Sequence, residues 1–88
     1  MRRITWEGTA SRDMDRIAEK DPRAVGAIVE FVYGVLAEHP ERAGGPLVRE
    51  LSWLHRATRG PYRILYTFDQ EDVRIAHVDH RATAYRRR

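Results

Sequence analysis

The side chains best suited to chemistry in this sequence are arginines, a histidine and a tyrosine of its second half. Arg56 and Arg63 lie in two stretches of strand-forming residues, and His80, Arg81 and Tyr85 follow a third. Cleaving an RNA phosphodiester without a metal needs a base for the 2′-hydroxyl, cations for the charge on phosphorus, and an acid for the leaving 5′-oxygen. His80 and Tyr85 are candidate proton carriers, and the arginines are candidate phosphate clamps.

Positive charge is concentrated in the same half of the chain. Residues 45–88 contain nine basic and five acidic residues, whereas residues 1–44 contain seven and eight. Every basic residue of the second half is arginine, whose planar fork of donors matches phosphate and stacks on bases. Codon usage in a GC-rich genome would also favour arginine, so the argument depends on position. By position, Arg56, Arg59 and Arg86 are predicted to bind RNA.

The sequence favours a site without metal or cofactor. It has no cysteine, and most acids of its second half fall in the turn Asp69–Asp72, where they do not form a carboxylate pair on rigid strands. Each candidate also has a structural alternative, since an arginine on a strand is usually solvated or ion-paired. Tyr62, Tyr66 and Phe68 share one face of their strand with Ile64, which predicts core residues and not a base-stacking platform.

The elements that must position these side chains follow from hydrophobic periodicity. Residues Arg2 to Glu7 predict a first strand, and two helices follow, the second beginning at Asp21-Pro22 and closing at His39-Pro40. Three further strands are predicted, separated by Arg59-Gly60-Pro61 and by the acidic turn: Leu51–Thr58, Tyr62–Phe68 and Val73–Val78. The expected fold is a two-layer α+β arrangement, β-α-α-β-β-β, with a helix hairpin against a four-stranded sheet.

The length of 88 residues predicts one domain over residues 1–88. No apolar run approaches the roughly 20 residues that span a bilayer, and the start Met1-Arg2-Arg3-Ile4 leads directly into polar residues. We therefore expect a cytoplasmic protein without a membrane partner.

Taken in order, these residues resemble the RelE and ParE superfamily of type II toxins, in its RelE branch. The resemblance rests on Gly60-Pro61-Tyr62-Arg63-Ile64-Leu65-Tyr66, on the acidic turn and on the ending from His77 to Arg86. The helix start Ser11-Arg12-Asp13 and the segment Gly45 to Leu51 agree with it, so that the resemblance extends from Ile4 to Arg87.

The resemblance implies an endoribonuclease that cuts messenger RNA in the ribosomal A site and arrests translation. It also implies a cognate antitoxin of the RelB or Phd type that neutralises the toxin, and binding of operator DNA only through that antitoxin. Arg56, Arg63, Arg81 and Tyr85 fall on basic and tyrosine positions of the family's active site. The best-known members have lysines on the first meander strand, whereas this chain has Leu54, Arg56 and Thr58 there.

Two other functions share this fold. A ParE-like protein would bind DNA gyrase and cut no RNA, and a degenerate toxin would act only with its antitoxin as a repressor complex. Arg63, Arg81 and Tyr85 together favour the nuclease, because a gyrase poison has no need of a phosphate clamp beside a proton carrier.

Overall fold

The computed structural model describes residues 1–84, which form a five-stranded sheet with a helix hairpin on one face. The strands lie in the order β1-β5-β4-β3-β2. They are β1 (Arg3–Trp6), β2 (Gly45–Pro46), β3 (His55–Arg59), β4 (Tyr62–Phe68) and β5 (Asp72–His80). The helices are α1 (Gly8–Lys20), α2 (Pro22–Phe31), α3 (Pro40–Ala43) and α4 (Arg81–Ala84), and α2 continues as a π-helical segment over Val32–Leu36. None of these helices within residues 1–84 is long and apolar enough to cross a membrane. The predicted two-layer α+β layout is confirmed.

The sheet has one strand more than the four predicted. β3, β4 and β5 form the expected antiparallel meander, and β1 joins the free side of β5 in parallel orientation. The additional strand, β2, pairs with the start of β3. Gly44 precedes it, and a Cβ atom on Gly44 would lie 2.1 Å from the carbonyl oxygen of Arg56. Only glycine therefore allows the two backbones to approach so closely.

The predicted strand over Leu51–Thr58 is wrong in its first half. Arg49 adopts a left-handed conformation with φ of 61°, and Arg49–Leu51 form one turn of 3-10 helix. The Leu54 N–H then donates to the Leu51 carbonyl at 2.9 Å, so this stretch satisfies its backbone locally instead of pairing with β4. β3 consequently begins at His55 and extends to Arg59.

The core lies between the helix hairpin and the inner face of the sheet. The helices contribute Ala10, Ile17, Ile28, Val32 and Leu36. The strands contribute buried residues from all three members of the meander: Ala57, Tyr62, Ile64, Tyr66, Val73, Ile75 and Val78. The prediction that the β4 aromatics are core residues is confirmed for Tyr62 and Tyr66, and Phe68 packs at the core's margin.

Candidate functional site

Because side chains alternate between the two faces of a sheet, the residues beneath the helices show which residues lie on the other face. Ala57, Ile64 and Val78 pair across β3, β4 and β5, and each is no more than 2% exposed beneath the helices. Successive side chains of a strand point to opposite faces, and paired residues share a face. Arg56 and Arg63, the neighbours of Ala57 and Ile64, therefore project from the other face, which we call the uncovered face because α1 and α2 do not pack on it.

On this uncovered face, Arg56 and Arg63 lie on the adjacent strands β3 and β4. Arg63 pairs with Thr58 on one side and with Asp79 on the other, and Arg56 pairs with Leu65. Arg56 and Arg63 are thus diagonal neighbours, about 7–8 Å apart at their backbones. Arg56 is exposed and Arg63 is half-buried, so the structure brings these two predicted site residues together.

The next row across the meander places His80 on the opposite face. Arg59, Tyr62 and His80 pair across the three strands, one step from Arg63 and its neighbours. The Tyr62 side chain is buried, and its ring meets the His80 ring edge-on with centroids 5.2 Å apart. Burial raises the pKa of Tyr62, and the negative charge of Asp21 raises it further. His80 thus packs on the helix side of the sheet, whereas Arg63 lies on the uncovered side.

The hydrogen bond that His80 makes defines which of its ring nitrogens can release a proton. Its Nδ1 accepts the backbone N–H of Ala82 at 3.1 Å, and this bond caps the first turn of α4. A nitrogen that accepts carries no proton, so neutral His80 holds its proton on Nε2.

Arg81 lies at the same end of the meander as Arg59. Its backbone N–H donates to the Pro61 carbonyl at 2.8 Å, which ties the start of α4 to the β3–β4 turn. Gly60 in this turn has a φ of 60°, a conformation that glycine adopts without strain. We call this end of the meander, formed by Arg59, Tyr62 and His80, the arginine end, and the end formed by Phe68 and Asp72 the acidic-turn end.

Arginines at the two ends differ in their ionic partners. Within residues 1–84, no carboxylate lies within 4 Å of the guanidinium of Arg56, Arg59 or Arg81. At the acidic-turn end, by contrast, the Arg3 Nε donates to the Asp72 carboxylate at 2.9 Å, and Arg74 pairs with Glu7 at 3.8 Å. Among the described residues, the guanidinium groups of Arg56, Arg59 and Arg81 therefore have no ion-pair partner.

The acidic turn itself is stabilised from within. The Asp69 carboxylate accepts the backbone N–H groups of Glu71 and Asp72, both at 2.8 Å. These hydrogen bonds lower the pKa of Asp69 because they favour its charged form. Its carboxylate thus serves the turn, at the opposite end of the meander from Arg59 and Arg81.

A buried carboxylate, which the sequence analysis placed only in the first turns of a helix, connects α1 to β5. Asp13 is 2% exposed, and its Oδ2 accepts the Val78 backbone N–H at 3.0 Å. Its Oδ1 accepts from the Arg16 guanidinium, and the His77 Nδ1 lies 3.7 Å from Oδ2. The spacing of Asp13 and Arg16 is the only local signal in the sequence for this cluster.

Two of the predicted site residues, Tyr85 and Arg86, lie outside the described residues. Among residues 1–84, no group of three or more histidine, aspartate or glutamate side chains is arranged to hold a metal ion. The chemistry available at the described part of the site is therefore that of guanidinium groups and of the His80 imidazole.

The fold defines a small α+β protein with Arg56 and Arg63 on the uncovered face of its sheet and Arg59 and Arg81 at the arginine end. Comparison with known proteins shows to which family this protein belongs. Residues 4–85 match the family described as the ParE toxin of the type II toxin-antitoxin system parDE. The chain therefore belongs to the ParE toxin family, within the RelE and ParE superfamily of type II toxins, and the resemblance noted in the sequence is confirmed.

Individual relatives point to the RelE branch. The toxin RelG of Mycobacterium tuberculosis is 48% identical over 86 residues, which cover 96% of this chain and 95% of RelG. The toxin RelE of the same organism is 44% identical, over 94% of this chain and 84% of its own. The crystal structure of the toxin-antitoxin complex RelBE2 from M. tuberculosis matches with a TM-score of 0.82 at 41% identity, covering 90% of this chain and 96% of that one.

Proposed function

We propose that this toxin is a metal-independent endoribonuclease that cleaves messenger RNA, presented in the ribosomal A site, and thereby arrests translation. The observation that carries the proposal is a set of arginines without carboxylate partners among the described residues: Arg56 in the middle of the meander, and Arg59 and Arg81 at the arginine end. Similarity to toxins named RelG and RelE supports it.

In the proposed reaction, the 2′-oxygen attacks the adjacent phosphorus and the 5′-oxygen leaves. The products are a 2′,3′-cyclic phosphate and a 5′-hydroxyl, so the proton lost by the 2′-hydroxyl is balanced by one given to the 5′-oxygen. Arg63 and Arg81 would hold the scissile phosphate and stabilise the charge that develops on its oxygens. Arg56 would bind a neighbouring phosphate, and Arg59 and Arg86 would bind the flanking chain.

The proton carriers in this proposal are Tyr85 and His80. Neutral His80 can donate only through Nε2, because its Nδ1 accepts from Ala82. To give a proton to the 5′-oxygen, His80 would have to release Ala82, carry a second proton on Nδ1, and turn its ring from Tyr62 towards the phosphate that Arg63 holds on the other face. Tyr85 would then act as the base, which requires neighbouring arginines to lower its pKa from a reference value of about 10.

The partners follow from the same proposal. As a type II toxin, the protein has a cognate antitoxin as its partner, and toxin-antitoxin complexes are known for its relatives. We infer that this antitoxin is of the RelB or Phd type and that its carboxylates neutralise the arginine end. Operator DNA would be bound only through the antitoxin, and the ribosome and messenger RNA would be met in the cytoplasm.

A gyrase-binding function is the alternative, because the matching family is described by the name ParE. The two functions are separated by mapping messenger RNA ends by primer extension after brief induction without antitoxin. Wild type, Arg81→Ala and Tyr85→Phe are compared at matched protein levels. New ends that disappear in both variants would support the nuclease.

The control for this experiment is Arg74→Ala, which removes an arginine from the acidic-turn end. It should leave the cleavage ends unchanged. Growth arrest with intact RNA would contradict the nuclease, and inhibition of DNA gyrase in a supercoiling assay would then establish the alternative. Unchanged growth with soluble protein present would contradict toxicity itself.

A further inference from the structure

The buried carboxylate of Asp13 occupies a place that a strand would otherwise fill. β1 pairs with β5 only from Asp72 to Ile75, whereas β5 continues to His80. Beyond Ile75 this edge of β5 has no strand beside it in the described part of the chain. A buried backbone N–H on such an edge must find another acceptor.

Asp13 supplies that acceptor at one position. Its Oδ2 lies 3.0 Å from the Val78 nitrogen, 65 residues along the chain. Because Asp13 is held in α1 and also accepts from Arg16, the bond fixes the end of β5 against a rigid helix. Three residues after Val78 the chain reaches Arg81, whose own N–H is bound to Pro61.

We propose that Asp13 is a positioning residue for the RNA-cleaving site, which sets the end of β5 and thereby the placement of His80 and Arg81. The inference rests on the proposed function. Asp13 is buried on the helix side of the sheet, away from the face that carries Arg56 and Arg63, so it acts through β5 and not on RNA. What it contributes is a hydrogen-bond acceptor at a defined point, and its charge is secondary.

With this role, substitution of Asp13 should lower the rate of RNA cleavage and leave the affinity for RNA nearly unchanged. Arg56 and Arg63 are carried by β3 and β4, and the backbone bond from Arg81 to Pro61 does not involve Asp13, so most RNA binding should survive a displaced β5 end. The single-turnover rate at saturating toxin should instead fall, because a displacement of about 1 Å in a catalytic group can cost about 100-fold.

The test compares Asp13→Ala, Asp13→Asn and Asp13→Glu with wild type on a ribosome-bound messenger RNA. We expect Asp13→Ala to lower the saturating rate about 10- to 100-fold, with a half-saturating toxin concentration within about twofold of wild type. Asp13→Asn keeps one acceptor for the Val78 N–H and loses the one for Arg16, whose side chain is half-exposed and can be solvated instead, so it should retain most of the rate. Asp13→Glu keeps the charge but moves the acceptor by one methylene, so it should be slower than Asp13→Asn.

Ile28→Val, a core change in α2 away from β5, controls for general loss of stability. Thermal unfolding of each variant is measured alongside. The cleavage rates of Asp13→Asn and Asp13→Glu still test the inference where Asp13→Ala does not fold. Any of three results would overturn the inference: Asp13→Ala cleaves at the wild-type rate, a variant of matched stability loses as much activity as Asp13→Ala, or Asp13→Glu cleaves faster than Asp13→Asn. A wild-type protein that cleaves no RNA would overturn the proposed function as well, and the wild-type reaction distinguishes the two failures.

Discussion

The two ends of the β3–β4–β5 meander use the same residue type in opposite ways. At the acidic-turn end, arginines have partners: Arg3 with Asp72, Arg74 with Glu7, and Arg2 with the Asp69 carbonyl at 2.7 Å. At the arginine end, Arg59 and Arg81 have no carboxylate within 4 Å in the part of the chain that the structure describes. The comparison teaches that ion pairing, more than composition, distinguishes the arginines that we propose to bind RNA from those that stabilise the acidic-turn end.

The energetic cost of this asymmetry is small. An exposed ion pair contributes only about 0–1 kcal/mol to stability, so arginines without carboxylates destabilise the fold little. The same guanidinium groups gain far more when they meet a phosphate chain, because each releases bound counterions from the nucleic acid. A protein can therefore keep an unpaired cationic end for binding at almost no loss of stability.

The difference between the two ends is tested most directly by removing one arginine from each end of the uncovered face. Arg63→Ala should lower the cleavage rate about 100- to 1,000-fold, because it removes a donor to the charge that develops at phosphorus. Arg74→Ala, on the same face near the acidic turn, should change the rate by less than about twofold. Both rates are measured on the same messenger RNA, and circular dichroism checks that both variants fold. Equal losses in the two variants would contradict a functional difference between the ends.

A second test addresses the strand that carries Arg56. Gly44→Ala would bring a Cβ atom to 2.1 Å from the Arg56 carbonyl oxygen, so β2 and β3 must separate. We expect a loss of about 1–3 kcal/mol in the free energy of unfolding, as for overpacked sites. Gly45→Ala is the matched control, since nothing lies within 4 Å of its added Cβ, and it should cost less than about 0.5 kcal/mol. Urea unfolding of both variants measures the difference, and similar values would show that the close approach is not limiting.

The smallest expected effect concerns a buried tyrosine in the half of β4 nearer the acidic turn. Tyr66 is fully buried and donates to the Pro40 carbonyl at 2.6 Å. Burial, with a smaller effect of Glu41, raises the pKa of Tyr66 to about 12. A folded pKa above the unfolded one favours the neutral form, so this contribution is complete below about pH 10 and is lost as the pH rises towards 12.

Wild-type protein should therefore lose about 2 kcal/mol of stability between about pH 9 and pH 12 through Tyr66 alone. Tyr66→Phe should lack this part of the pH dependence, although it also loses the hydrogen bond to Pro40 and is less stable at neutral pH. Unfolding free energies of both proteins across this range measure the difference. Parallel pH profiles would show that Tyr66 ionises as easily in the folded chain as in the unfolded one.

Much of this molecule follows from local patterns in the sequence. The observed bounds of β4 agree with the prediction, because its run of strand-forming residues lies between two turn signals, Arg59-Gly60-Pro61 and the acidic turn. The helix hairpin and the meander followed from helical and strand periodicity, and the resemblance to the toxin superfamily followed from the segment around Arg63 and from the chain's ending. The charge difference between the two halves also required no structure.

Local sequence patterns predict a start of β3 that is wrong, and they do not predict the fifth strand, β2. The apolar run from Leu51 suggests a strand, but Arg49 turns the chain and Leu51 bonds within its own loop. β2 is only two residues long, and it exists because Gly44 lets its strand approach β3. Both features depend on contacts between segments and not on the periodicity within one.

The sequence by itself determined the kinds of side chain available for chemistry and the elements that carry them. Only the tertiary structure decided that Arg63 and His80 lie on opposite faces, since a shift of one residue in strand register exchanges the faces. The tertiary structure also decided which arginines are paired, and that Asp13, 65 residues away, completes the hydrogen bonding of Val78. Periodicity is a property of neighbours along the chain, whereas register, ion pairing and burial arise only when distant segments meet.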